Sequence, residues 1–165
     1  MGHIGSIRPV TGDLKTITTN QDIDQDGATT LNLFSFTSAM HIVKLSGVIK
    51  TVTDGTSCTG VSFVLYDGTN TVQITKNDGV LTSMDVGSIF YKDASAATTF
   101  ELLQADQVRL DETLATGMYE FIVNPKTGVT NYIQFNYTGA TGFDINVDFY
   151  CEYLPIVPGT SMAVV

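Results

Sequence analysis

The most pointed arrangement of reactive side chains in this 165-residue sequence is Asp22-Ile23-Asp24-Gln25-Asp26-Gly27. Three carboxylates on alternate positions followed by Gly match the opening of a calcium loop. A hard cation collects several carboxylate oxygens, and the Gly permits the sharp turn. The motif makes Asp22, Asp24 and Asp26 candidate metal ligands, with calcium as the cation they would take. The loop is incomplete. Ala28 offers only its carbonyl, and the twelfth position is Leu33, where a bidentate Glu belongs. The plainer reading is an acidic turn ahead of Leu31-Asn32-Leu33-Phe34, and no other cofactor is expected.

Other reactive residues are sparse. Asp144, Asp148 and Glu152 share one outward parity, two strand-steps apart at about 7 Å per step. A glycan hydrolase works with a pair of carboxylates; a solvated acidic sheet face is the simpler expectation. The two histidines, His3 and His41, have no partner motif around them, and no Gly-x-Ser-x-Gly elbow or Gly-rich phosphate loop occurs. Cys58 lies in Thr56-Ser57-Cys58-Thr59-Gly60, read as a loop, and no basic neighbour would activate its thiol. Cys151 falls on the inward parity of a strand. Two distant cysteines give no zinc spacing, so two free thiols in a reducing compartment are expected. Tyr132 and Tyr150 fall on outward parity, where a tyrosine can meet a partner or a sugar.

Charge narrows the partners. Eight basic and 17 acidic residues leave a net charge of −9. A duplex-binding protein needs a basic face to displace counterions, and an anionic membrane surface would repel this chain. No apolar run approaches the ~18 residues of a membrane span. Residues 1–10 lack the apolar core of a secretory signal. The chain is therefore expected to bind neither nucleic acid nor membrane, and to be made in a reducing cytoplasm. With 43% hydrophobic and 15% charged residues, it holds enough apolar side chains for a folded core.

The elements that must position these residues read as strands. In residues 143–153 every odd position is apolar, while the even ones are Asp, Asn, Asp, Tyr and Glu. That is a strand with one face on the core. Residues 129–138 alternate likewise, and 118–123 make a third strand, with Asn124-Pro125-Lys126-Thr127-Gly128 read as a hairpin loop between them. Residues 31–37 and 41–53 read as strands. Residues 61–66 and 71–75 form a tight hairpin around Asp67-Gly68-Thr69-Asn70. Residues 89–92 and 108–110 are short strands, and 94–106 hold a helical turn or a strand. The 24 Thr suit strands, and the 15 Gly suit turns. Eight or nine strands with turns every 8–12 residues predict an all-β, single-domain antiparallel sandwich, jelly-roll or immunoglobulin-like.

The two ends break the pattern. Residues 1–20 show no clear period and read as an N-terminal arm ahead of a sandwich over 21–154. Residues 155–165 read as a tail that Pro155 and Pro158 keep out of a central strand. Leu154, Ile156, Val157, Met162, Val164 and Val165 are apolar with no polar face to shield them. They are expected to lie on another subunit, making a homo-oligomer, with a trimer as the first expectation.

Several segments in order resemble small structural virion proteins of tailed bacteriophages. Residues 26–37 (DGATTLNLFSFT) precede 42–51 (IVKLSGVIKT), a strand ending in Leu-Phe-x-Phe/Val-Thr and then one holding Leu-x-Gly-x-Ile/Val. Residues 67–75, 87–89, 131–138 and 151–155 continue the likeness, which spans about residues 20–156. The resemblance implies a non-enzymatic protein of the virion. It would decorate or cement the capsid surface, with the major capsid protein or other virion proteins as partners. The head fibre, tail and neck are further locations it allows. A carbohydrate-binding or adhesion module with bound calcium is the alternative.

Overall fold

The computed structural model describes residues 13–92, 100–103 and 121–165. They form twelve strands and no helix: β1 (Lys15–Ile23), β2 (Gly27–Phe36), β3 (Met40–Asp54), β4 (Cys58–Tyr66), β5 (Thr71–Gln73), β6 (Gly79–Leu81), β7 (Ile89–Lys92), β8 (Phe100–Leu103), β9 (Phe121–Val123), β10 (Asn131–Gly139), β11 (Asp144–Pro155) and β12 (Ala163–Val164). One sheet runs β1-β11-β3-β7-β8, with β9 also on β3. The other runs β12-β2-β10-β4-β5, with β6 also on β4. All strand pairs are antiparallel. The expected all-β sandwich is present.

Alternation builds the core. In β11, Ile145, Val147, Phe149, Cys151 and Tyr153 are buried and the residues between them are not. β10 sends Ile133, Phe135 and Tyr137 inward from the opposite sheet. Phe149 and Phe90 of one sheet meet Phe63 and Phe135 of the other, with ring centroids 5.0–6.3 Å apart. In β2 the register against β10 slips by one residue between Asn131↔Phe36 and Tyr137↔Thr29. Leu33 and Phe34 are both fully buried there. A bulge is what allows two consecutive side chains to face one core.

Three expectations need correction. The arm expected over 1–20 ends earlier, because β1 pairs along its whole length with β11, from Lys15↔Tyr153 to Ile23↔Ile145. Its inward positions include Thr19 and Gln21, so the apolar half of the period is diluted. Residues 124–128 are not a hairpin loop. β9 pairs with β3 and β10 pairs with β2 and β4, so this segment crosses from one sheet to the other. Asn131 holds the crossing: its Oδ1 accepts from Lys126 N (3.0 Å), and its Nδ2 donates to the carbonyls of Lys126 and Val129. Finally, the tail folds back on its own domain. Ile156 N donates to Ala39 O, and β12 pairs with β2 at Ala163↔Ser35 and Val164↔Phe34. Residues 108–110 and most of 94–106 lie outside the described residues, apart from β8.

Candidate functional site

The calcium motif does not assemble into a cage. Asp22 ends the outward row of β1 and accepts from Asn146 Nδ2. Asp24 Oδ1 accepts from Gln25 Nε2 (3.0 Å). Asp26 Oδ1 accepts from Gly142 N (3.1 Å), while Asp26 bridges to Gly139 of β10. Each carboxylate serves a different partner: Asp22 reaches across to β11, Asp24 takes its own neighbour, and Asp26 ties to the turn after β10. Among the described residues, no three His, Cys, Asp or Glu side chains are grouped to hold a metal ion. The turn is held tightly for a steric reason: a Cβ on Gly139 would stand 2.5 Å from Gln25 O. Tyr137 of β10 reaches the same turn. Its buried hydroxyl faces Gln25 and Thr29 without a well-formed hydrogen bond, and burial raises its pKa.

The outward face of the β1–β11–β3 sheet carries Asp144, Asp148, Tyr150 and Glu152 at the expected parity. Side chains there tie strands together. Asn20 Nδ2 donates to Asn146 Oδ1 (2.6 Å) and Asp148 Oδ1 (2.7 Å), and Lys50 Nζ lies 3.5 Å from Asp148 Oδ2. Glu152 stands opposite Lys44 in register, and Asp144 opposite Asp54. Asp148 is thus an acceptor in a cross-strand network. His41 is the second residue of β3, opposite Leu154. His3 lies outside the described residues.

Both cysteines are free and fully buried. Cys58 is not the loop residue the sequence suggests. It opens β4, paired with Gly139 on one side and Leu81 on the other. Burial pushes both thiols up to about 12. Thiolate nucleophilicity is thereby suppressed at neutral pH.

A groove sits where the β4–β5 hairpin meets the 124–128 crossing. Its volume is about 320 Å³, and it is lined by Tyr66, Asp67, Asn70, Val72, Asn124 and Lys126 among others. Tyr66 and Tyr132, paired in register, stack beside it with centroids 6.4 Å apart and planes 29° apart. Asp67 organises the turn. Its Oδ1 accepts from Asn70 N (2.6 Å) and Thr69 N (2.9 Å), its Oδ2 from Asn70 Nδ2 (3.1 Å), and Lys126 Nζ is 3.8 Å away. These contacts, the Asn70 amide first, lower its pKa to about 2. Sequence spacing showed the hairpin but not this groove, because Lys126 arrives from a segment 59 residues downstream of Asp67.

The apolar tail residues divide. Met162 is only 5% exposed and belongs to the core. Its Sδ lies 3.8 Å from Cys151 Sγ, and its amide donates to Tyr153 Oη (3.1 Å). Leu154 and Ile156 are half-buried, while Val157, Val164 and Val165 remain about half exposed. The expectation that the whole tail is ordered only on another subunit is therefore corrected at Met162. Lys15 Nζ donates to Thr160 O (3.1 Å), which joins the first strand to the segment leading into the last. β1 and β12 thus end their respective sheets along the same lateral side. No protein-family model, curated protein or solved structure matches the chain.

Proposed function

We propose that this protein is a non-enzymatic structural subunit of a phage virion, most simply one that decorates or cements the capsid surface. The observation that carries this reading is the lateral side where β1 and β12 lie together, because β1 closes one sheet with an outer edge and β12 covers only the end of β2. Strand edges are where a β protein adds neighbours through backbone hydrogen bonds. The exposed Val157, Val164 and Val165 extend the same side with apolar contact area. The likeness over residues 20–156 to small virion proteins of tailed phages points the same way. Many copies on a symmetric lattice need only modest affinity each. The acidic charge keeps such a surface soluble.

Co-sedimentation tests this. Purified protein mixed with capsids assembled from the coat subunit of the same phage should bind saturably, at a fixed number of copies per coat subunit. No binding at any capsid concentration would refute decoration. A second reading, a saccharide-binding adhesion module, is favoured by one feature: the Tyr66–Tyr132 stack beside a groove with Asp67, Asn70 and Asn124. Aromatic faces and planar polar groups are how proteins grip sugars. Glycan binding lost in Tyr66→Ala, without capsid binding, would move the assignment to that reading.

A further inference from the structure

The edge of β2 is unevenly covered. β12 pairs with Ser35 and Phe34, and Val165 N donates to Leu33 O (3.3 Å). Residues 27–32 have β10 on one side and no strand on the other among the described residues. β12 demonstrates that this edge accepts an antiparallel strand.

Natural edges are guarded by charges, Pro or bulges that discourage pairing. Gly27-Ala28-Thr29-Thr30-Leu31-Asn32 has no charge and no Pro, and the Leu33–Phe34 bulge lies beyond it. The β1 edge, its counterpart in the other sheet, carries Lys15 and Asp22. In a chain of net charge −9, an uncharged strand edge is a part that can meet its own copy without charge repulsion; β5 is uncharged too but spans only three residues. With residue 28 opposite residue 32, Thr30 faces Thr30 of the second copy, a favourable cross-strand pair.

We propose that residues 27–32 of β2 pair antiparallel with the same residues of a second copy across a two-fold axis, joining two sheets into one. An isologous contact of this kind is self-complementary by construction. It replaces the trimer expected from an uncovered tail, since Met162 is already covered within its own domain. The pairing does not rest on the virion reading: a monomer can still bind a capsid, and a dimer can form anywhere.

The contact is small, at the low end of interface sizes, so association should depend on concentration. Light scattering after size exclusion, together with sedimentation velocity, should show the full chain moving from 17.8 kDa toward twice that mass as concentration rises. Ala28→Lys combined with Asn32→Lys places like charges across the seam and should weaken dimerisation at least tenfold. Thr16→Lys with Thr18→Lys, on the β1 edge, should leave it unchanged. Circular dichroism melts establish that both variants fold. If the β2 variant does not fold, protection of the 27–32 amides from hydrogen exchange, rising with concentration in the unaltered chain, decides instead. A single 17.8 kDa species at every concentration would overturn the proposal and indicate that the chain covers its own edge. A trimer, or a dimer weakened equally by the β1 variant, would overturn it too.

Discussion

Gly47 is the position where one added methyl group should be most revealing. It sits mid-strand in β3, flanked in register by Phe90 of β7 and Phe149 of β11. A Cβ there would stand 2.6 Å from Phe90 Cε2 and 2.8 Å from Cε1, and closer still to Cζ. Phe90 is fully buried, and its ring is hemmed by Phe135 at 5.6 Å, Phe149 at 5.7 Å and Phe63 at 6.3 Å. The ring cannot yield without moving the aromatic centre of both sheets. Overpacking of this kind costs about 1–3 kcal/mol. Replacing a strand Gly returns roughly 0.5–1 kcal/mol of backbone entropy. Three ring atoms under 3.0 Å place the clash in the upper half of that range, about 2–3 kcal/mol, so Gly47→Ala should lose about 1–2.5 kcal/mol net, a fall in Tm of roughly 2–10 °C for a domain of this size. Thermal melts by circular dichroism measure it, and Phe90→Leu in the Gly47→Ala background should recover part of the loss. An unchanged or higher Tm for Gly47→Ala would refute the argument that Phe90 fills the space above this glycine.

Met162→Ala should cost about 2–3 kcal/mol, because it opens a cavity beside Cys151 and Tyr153; denaturant melts showing no loss would mean that the tail does not pack on its own domain. Neither thiol should react with a water-soluble disulfide reagent in the folded protein at pH 8, and both should react in denaturant, since burial holds each at about 12. Asp67 should titrate at about 2 by carboxyl NMR. Its folded value lies below the ordinary ~3.9, so its stabilisation is fully present above that value and is lost as pH falls from about 4 through 2. An ordinary titration near 3.9 would show that the Asn70 and Thr69 bonds do not persist in solution. Tyr137→Phe removes a buried hydroxyl without a well-formed partner, so Tm should hold or rise; a clear fall would reveal a bond at that oxygen.

What the sequence disclosed followed pattern length. β10 and β11 run nine and 12 residues, with strict alternation in β11 and one break at buried Gln134 in β10, so their period of two is plain in the residues themselves. The β4–β5 hairpin was legible because Asp67, Gly68 and Asn70 are turn residues for local reasons. β6 and β12 span three and two residues, too few to show any period. β1 alternates, yet Thr19 and Gln21 occupy inward positions where apolar residues would have announced the strand. Non-local facts were invisible. Cys58 is buried because β6 and β10 flank it, and Met162 because the chain doubles back to Tyr153. The Asp22-Asp24-Asp26 spacing resembled a ligand set, but a strand end and a turn aim successive side chains at different partners, and spacing alone does not report direction.

The central claim, that this sandwich is a structural part of a virion, meets its most direct test in quantitative mass spectrometry of particles purified from the source culture through a density gradient. The account predicts that the chain bands with the particles in a fixed, multi-copy ratio to the coat protein, and that the ratio survives repeated purification. Its absence from intact particles, with the protein recovered only in the soluble fraction, would contradict the claim.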